Sequence, residues 1–297
     1  MQHRSPETNG LLLGLGAYGI WGFFPLYFPL LAPSSATEVL AHRIVWSFLF
    51  MIVVNSVFHL WDPVRAVLRS PRLLRLLLLA SVLITLNWGV YIWAVQHDHV
   101  VEAALGYFVT PLLSVALGII AFGERLRRAQ WVAIGVGAAS LVVLAVDAGS
   151  VPWIGLVLAL SFGSYGLVKK LANVEAMASL TLETAFASPI ALVYLVYLEA
   201  TGSMAFLHTS TGHTLTVLTT GVVTAVPLLG FGAAAVRIPL STLGLLQYIT
   251  PVLQFLLGVA VFHERMSGLR WLGFACLWLA LIIYSTDMVR HTRSRRA

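Results

Sequence analysis

Apolar residues run along the chain in stretches too long for the helices of a soluble core. The segments 10–31, 38–60, 73–95, 102–122, 129–146, 152–171, 178–200, 214–236, 240–262 and 269–287 are separated by short punctuation of charged residues, Pro, Gly or Ser. A helix of about 20 residues crosses a hydrocarbon core of about 30 Å. Within that core every backbone N–H and C=O must find its partner inside its own segment, so each stretch predicts a helix. The pattern predicts an all-α polytopic membrane protein of ten transmembrane helices, with loops too short to form an extramembrane domain. The first stretch follows Arg4 as a secretory leader would. It continues to Leu31, however, and Ala32-Pro33-Ser34 is a poor cleavage site, so an uncleaved first span is expected.

The sequence also matches itself. A shift of 140 residues lays Thr110-Pro111 on Thr250-Pro251, Gly118 on Gly258, Phe122 on Phe262, Glu124-Arg125 on Glu264-Arg265 and Trp131 on Trp271. Near the start of each half the offset is 144, which places Gly19-Ile20-Trp21-Gly22 on Gly163-Ser164-Tyr165-Gly166. The halves are then 1–147 and 148–297, with five spans each. Five is odd, so the second copy starts from the opposite side of the membrane. Two inverted five-helix repeats are the architecture of secondary transporters, whose solute site lies near the midplane between them.

Composition agrees: 59% of residues are hydrophobic and 10% charged, against about 25% charged in soluble chains. The formal charge of +6 suggests nucleic acid only until the basic residues are placed on the spans. With the N-terminus cytoplasmic, the inner side collects Arg4, Arg65, Arg69, Arg72, Arg75, Arg125, Arg127, Arg128, Lys169, Lys170, Arg237, Arg290, Arg293, Arg295 and Arg296, and the outer side Arg265 and Arg270. That asymmetry predicts N-in/C-in by the positive-inside rule, and the basic balance is explained by topology without a nucleic-acid partner. A single cysteine, Cys276, excludes an intramolecular disulfide and a multi-cysteine metal site.

The duplicated T-P…G-E-R and T-P…H-E-R hairpins, each followed by a Trp-led last span, resemble the EamA modules of the drug/metabolite transporter superfamily. Within it, Gly19-Ile20-Trp21-Gly22-Phe23-Phe24-Pro25-Leu26-Tyr27-Phe28, Glu38-Val39-Leu40-Ala41-His42-Arg43 and Asn87-Trp88-Gly89-Val90-Tyr91-Ile92-Trp93-Ala94-Val95 resemble the RarD subgroup, the chloramphenicol-sensitivity proteins. The resemblance implies a ten-helix permease of the bacterial inner (plasma) membrane, multi-pass and acting as an exporter.

Ionisable groups inside spans are costly and therefore functional candidates. Arg43 and Glu183 correspond under the 140-residue shift, each about five residues into the second span of its half. At about 1.5 Å per residue they lie roughly 7–8 Å from opposite surfaces, too far apart to pair directly. Glu183 is a candidate for proton coupling or for binding a substrate cation, Arg43 for a carboxylate partner or gate. The competing reading has each side chain snorkelling to its nearer interface. Trp21, Asn87, Trp88, Tyr91, Tyr107, Tyr165, Gln247 and Tyr248 form the candidate substrate-binding set, a pocket that would stack on a flat or amphipathic solute; the competing reading is interfacial belting. Pro111 and Pro251, symmetrically placed, are candidate hinges or packing kinks. Glu124 and Glu264 are expected to tie hairpin loops together.

His97-Asp98-His99 with Glu102 matches no zinc signature, and neither a G-x-S-x-G nor a Walker A motif is present. No metal, cofactor or enzymatic activity is expected, and ATP-driven pumping by this chain alone is excluded. The expected partners are a small-molecule substrate and the lipid bilayer, the protein acting as a monomer or homodimer. Rival readings are a non-transporting membrane scaffold or regulatory subunit, an intramembrane enzyme and a channel.

Overall fold

The computed structural model describes residues 6–122, 128–149, 151–235, 237–238 and 246–294. It is all-helical among these residues: α1 (Pro6–Gly22), α2 (Phe24–Tyr27), a 3-10 turn (Phe28–Leu31), α3 (Ala36–Val57), α4 (Trp61–Leu68), α5 (Pro71–Gln96), α6 (Val100–Phe122), α7 (Arg128–Ala148), α8 (Trp153–Ala172), α9 (Ala176–Ala200), α10 (Thr211–Ala235), α11 (Ile249–Ala260) and α12 (Gly268–Ser294). Among the described residues, seven helices are long and apolar enough to cross a membrane, and the bent pair formed by α1 and the segment 24–31, taken as one span, makes an eighth. Two shorter apolar helices lie at 100–110 and 249–260. Outward-facing Val53, Val57, Ile190, Val193 and Val196 are all more than half exposed, as lipid-facing side chains are.

Local sequence sets the helix ends. Ser35 accepts a hydrogen bond from the Glu38 N–H to cap α3, and Ser70 accepts from Leu73 N–H ahead of Pro71 at the start of α5. Both satisfy donors that the first turn leaves free. Asn173, with φ of 49°, closes α8 in the left-handed conformation.

Two features differ from the sequence expectation. The first span is bent by 46° between Gly22 and Phe24, because Pro25 withholds a backbone donor from Trp21 in the preceding turn. The break turns Trp21 and Phe24 inward. The second is α4, an additional short helix that buries Val64 and Val67 against α5 and α9. Its eight residues fall below the length of a span, so span-length reading passes over it.

Helix packing crosses between the halves of the chain. The first helix, α1, lies against α10 and α11, while α8 lies against α5 and α6. Further pairs are α3 with α9 and α10, α5 with α9, α6 with α11, and α7 with α12. Close approaches fix these pairs. A Cβ added to Gly221 on α10 would sit 2.4 Å from the Trp46 carbonyl carbon on α3, and one added to Gly106 on α6 would sit 2.7 Å from the Gly155 oxygen on α8. Gly10 and Gly14 are used within the chain too, facing Arg237, Ile238 and Leu246.

Candidate functional site

The bend in the first span, the crossing of α3 with α10, and the start of α11 together leave a cavity in the middle of the bundle. It has a volume of about 70 Å³ and is lined by Tyr18, Trp21, Phe24, Arg43, Ile84, Asn87, Trp88, Tyr91, Tyr107, Phe162, Leu228, Gln247, Thr250, Pro251 and Gln254. Both halves of the chain contribute walls. Two stripes at helical spacing build most of it: Ile84, Asn87, Trp88 and Tyr91 on α5, and Gln247, Thr250, Pro251 and Gln254 running into α11.

Arg43 is the charged group of that wall. It is 3% exposed, and its Nε donates to Thr224 Oγ1 on α10 at 2.7 Å. Its guanidinium carbon lies 4.4 Å from the Trp88 ring centre, 5.3 Å from Phe24 and 5.7 Å from Phe28. Ring faces attract a cation within about 6 Å, most strongly where water is excluded. The Nη1 atom is buried without a hydrogen-bond partner, as are Tyr91 OH and Gln254 Oε1. Other polar groups of the wall are committed. Asn87 Nδ2 donates to Leu158 O at 3.1 Å and Ser161 Oγ at 3.0 Å, and its Oδ1 accepts from Tyr107 OH at 3.0 Å. Thr250 Oγ1 donates to Tyr18 O and Gln254 Nε2 to Trp21 O, so the broken first span is held against α11.

Of the residues singled out from sequence, the structure brings Trp21, Arg43, Asn87, Trp88, Tyr91, Tyr107, Gln247 and Pro251 to the cavity wall. It places Tyr165, Tyr248 and Glu183 elsewhere. Tyr248 packs near Phe255 and Phe274 in a core formed by α6, α7, α11 and α12. Tyr165 donates to Glu183 Oε2 at 3.0 Å. Glu183 is 2% exposed and forms a 2.9 Å ion pair with Lys169, while Ser179 Oγ donates to it at 2.5 Å. Neither Arg43 nor Glu183 snorkels to a surface. Pro251 lies in the first turn of α11, and the side chain of Pro111 lies outside the described residues.

Sequence reasoning passed over Tyr18, Phe24, Ile84, Phe162, Leu228, Thr250 and Gln254. The two stripes were the available signal, since both repeat at intervals of three and four.

The loops are tied by carboxylates. Glu264, between α11 and α12, accepts from Val101 N–H with both oxygens at 3.1 Å and so anchors its hairpin to the start of α6. Burial pushes its carboxyl up to about 7 despite the Val101 and Val100 N–H groups and nearby Arg270, which favour the charged form. Glu124 lies outside the described residues. His97 and His99 both stack on Trp93, and no group of three or more metal-ligating side chains occurs among the described residues.

Residues 8–146 match the EamA-like transporter family. Over its full length the chain is 51% identical to Protein RarD of Streptomyces exfoliatus, covering 94% of that protein. It is 41% identical to Protein RarD of Escherichia coli K12 over 95% of each chain. An uncharacterized transporter of Bacillus subtilis, YojE, is 41% identical with both chains covered completely. A solved crystal structure aligns with a TM-score of 0.61 at 20% identity, covering 95% of this chain and 98% of that one, which is a likeness of fold. The chain therefore belongs to the EamA-like transporter family, as a RarD-type member, and is a multi-pass bacterial membrane transporter.

Proposed function

We propose an inner-membrane secondary transporter with ten transmembrane helices, N-in and C-in, that exports a small organic metabolite or drug-like solute by alternating access. Its units are two inverted five-helix repeats, 1–147 and 148–297, moving against each other around the central cavity. The observation that carries this reading is the cavity, an aromatic chamber built from both halves and holding a buried, incompletely bonded Arg43. A scaffold has no use for such a chamber, since an unsatisfied cation in an apolar bundle costs stability.

Helix packing supports the repeats. Exchanging the first five spans for the last five turns the contact of α1 with α10 and α11 into that of α8 with α5 and α6, and the contact of α3 with α10 into that of α9 with α5. The remaining pairs, α3 with α9, α6 with α11 and α7 with α12, map onto themselves. That the main contacts between the halves are unchanged by the exchange allows inward- and outward-facing states of similar energy.

A ligand pocket for a drug-sized molecule spans about 300–1,000 Å³. The 70 Å³ chamber is a contracted form of the site, which opens as the walls part. The bent first span and the start of α11, joined by the Tyr18–Thr250 and Trp21–Gln254 bonds, are the mobile wall of this proposal. Glu183 is held by Lys169, so a coupling role for Glu183 requires that pair to open during the cycle.

Reconstituted protein tests the reading. Efflux of a solute that stabilises the purified protein is expected to collapse in Trp88→Ala, and equal flux in wild type and variant would contradict the assignment of the cavity. If Glu183 carries coupling, Glu183→Gln abolishes gradient-driven flux and spares solute exchange; unchanged driven flux removes it from the mechanism.

A further inference from the structure

We infer that the cavity selects an aromatic monocarboxylate, with Arg43 and Tyr91 receiving the carboxylate and Gln254 receiving a hydrogen-bond donor on the solute. This rests on the transporter reading and names the solute class for the same site.

Charge balance is the first ground. Arg43 is the one formally charged residue in the described wall, and no carboxylate lines it. The two most deeply buried acids of the described residues are occupied: Glu183 by Lys169, Tyr165 and Ser179, and Glu38 by the N–H groups of Ala205 and Phe206, each at 3.0 Å. A buried cation is stabilised by an opposite charge brought to it. One negative charge on the solute neutralises the chamber. A cationic solute would add to the repulsion, a dianion would leave a negative charge, and a zwitterion would bring an ammonium for which the described wall holds no carboxylate.

Hydrogen-bond accounting is the second ground. After every internal bond is assigned, the buried wall atoms without a partner are Arg43 Nη1, Tyr91 OH and Gln254 Oε1. The first donates, the second donates or accepts, and the third accepts only. Arg43 and Tyr91 flank the same ring: Phe28 lies 5.7 Å from the guanidinium carbon and 5.8 Å from the Tyr91 ring centre. Both side chains therefore lie beside Phe28 in one part of the wall, and each has a donor left to give to an oxygen of a carboxylate. Gln254 is on α11, bonded to Trp21 through Nε2, and offers its oxygen from another wall. A hydroxyl or N–H at the far end of the solute meets it.

Shape is the third ground. The space between is walled by Trp21, Phe24, Trp88, Tyr107 and Phe162, faces and edges that stack on a planar ring.

The test compares 4-hydroxybenzoate, benzoate, benzyl alcohol, benzylamine and phenylalanine as ligands of the purified protein by thermal stabilisation, and as counter-substrates in proteoliposomes. The expected order puts 4-hydroxybenzoate first, then benzoate, with the alcohol, amine and amino acid at least tenfold weaker. Arg43→Gln is expected to weaken 4-hydroxybenzoate a hundredfold or more. Tyr91→Phe removes a hydroxyl with no internal partner and so leaves the fold intact; it is expected to weaken both carboxylates about tenfold and leave benzyl alcohol unchanged. Equal binding of alcohol or amine and carboxylate, or carboxylate binding within twofold of wild type in both variants, overturns the solute class while leaving transport standing. Binding of none of the five at millimolar concentration also overturns it. The transport reading fails separately, on protection of a cavity cysteine from both sides of the membrane.

Discussion

Arg43 and Glu183 occupy corresponding places in the two halves of the chain, 140 residues apart in sequence and both in the helix that follows the first span of their half. Their surroundings have diverged. Glu183 sits in a closed set of bonds with Lys169, Ser179 and Tyr165, every partner supplied by α8 and α9. Arg43 has one hydrogen bond to Thr224, three aromatic rings, and a face on the cavity. A duplicated architecture therefore does not duplicate its chemistry. The second half holds its charge as internal structure, and the first holds its charge ready for something outside the chain.

Removing the partners separates the two most sharply. Lys169→Met leaves a carboxylate that is 2% exposed without its cation, and breaking a buried pair costs about 3–5 kcal/mol. A large drop in melting temperature in detergent is expected. Thr224→Val takes one hydrogen bond from a charged group, a loss of about 1.5–3 kcal/mol; a cost equal to that of Lys169→Met would erase the distinction. Arg43→Met goes further. It replaces an incompletely bonded charge by an apolar chain of similar length, so stability should stay within about 1 kcal/mol of wild type, as when buried ionic groups give way to hydrophobic ones. A functional site that trades stability for activity behaves in this way. Severe destabilisation would make Arg43 structural after all.

The smallest expected effect lies at the loop carboxylate, Glu264. Its carboxyl is raised to about 7 by burial, so the folded chain holds that proton more tightly than the unfolded one. This contribution to stability is complete below the ordinary carboxylate value of about 4.3, declines as pH rises, and is lost above about 7. The melting temperature should fall between pH 5 and pH 8, and Glu264→Gln should flatten that part of the profile. A wild-type profile that is already flat across the range would contradict the assignment.

Much of the helical pattern was legible because lipid imposes it. A helix of the described residues falls in each of the ten apolar stretches, with ends displaced by a few residues except at the start of α11, where 239–245 lie outside the described residues, and at the end of α12, which runs on to Ser294. The bend at Gly22–Phe24 was written in Pro25, yet span-length reading merged its two arms. Site residues were legible where type and spacing agreed, as in Asn87, Trp88 and Tyr91 on α5. Gln254 was harder to see, since an isolated amide carries little signal until Gln247, Thr250 and Pro251 are placed on the same face. Tyr165 and Glu183 show a further limit. Residue chemistry alone does not tell an open polar group from one already bonded, because the partner, Lys169, is a cation at a helix end that the positive-inside pattern had counted as a topology signal.

Cysteine accessibility at the cavity wall tests the central claim most directly, because it needs no knowledge of the solute. In a Cys276→Ser background, which removes the chain's single cysteine, Leu228→Cys places a thiol on the chamber wall. Membrane-impermeant maleimide is applied to right-side-out and inside-out vesicles. The account predicts labelling from each side, slowed in both orientations by a bound solute. Protection of that thiol from both sides would contradict it and leave a membrane protein with a buried cavity that transports nothing.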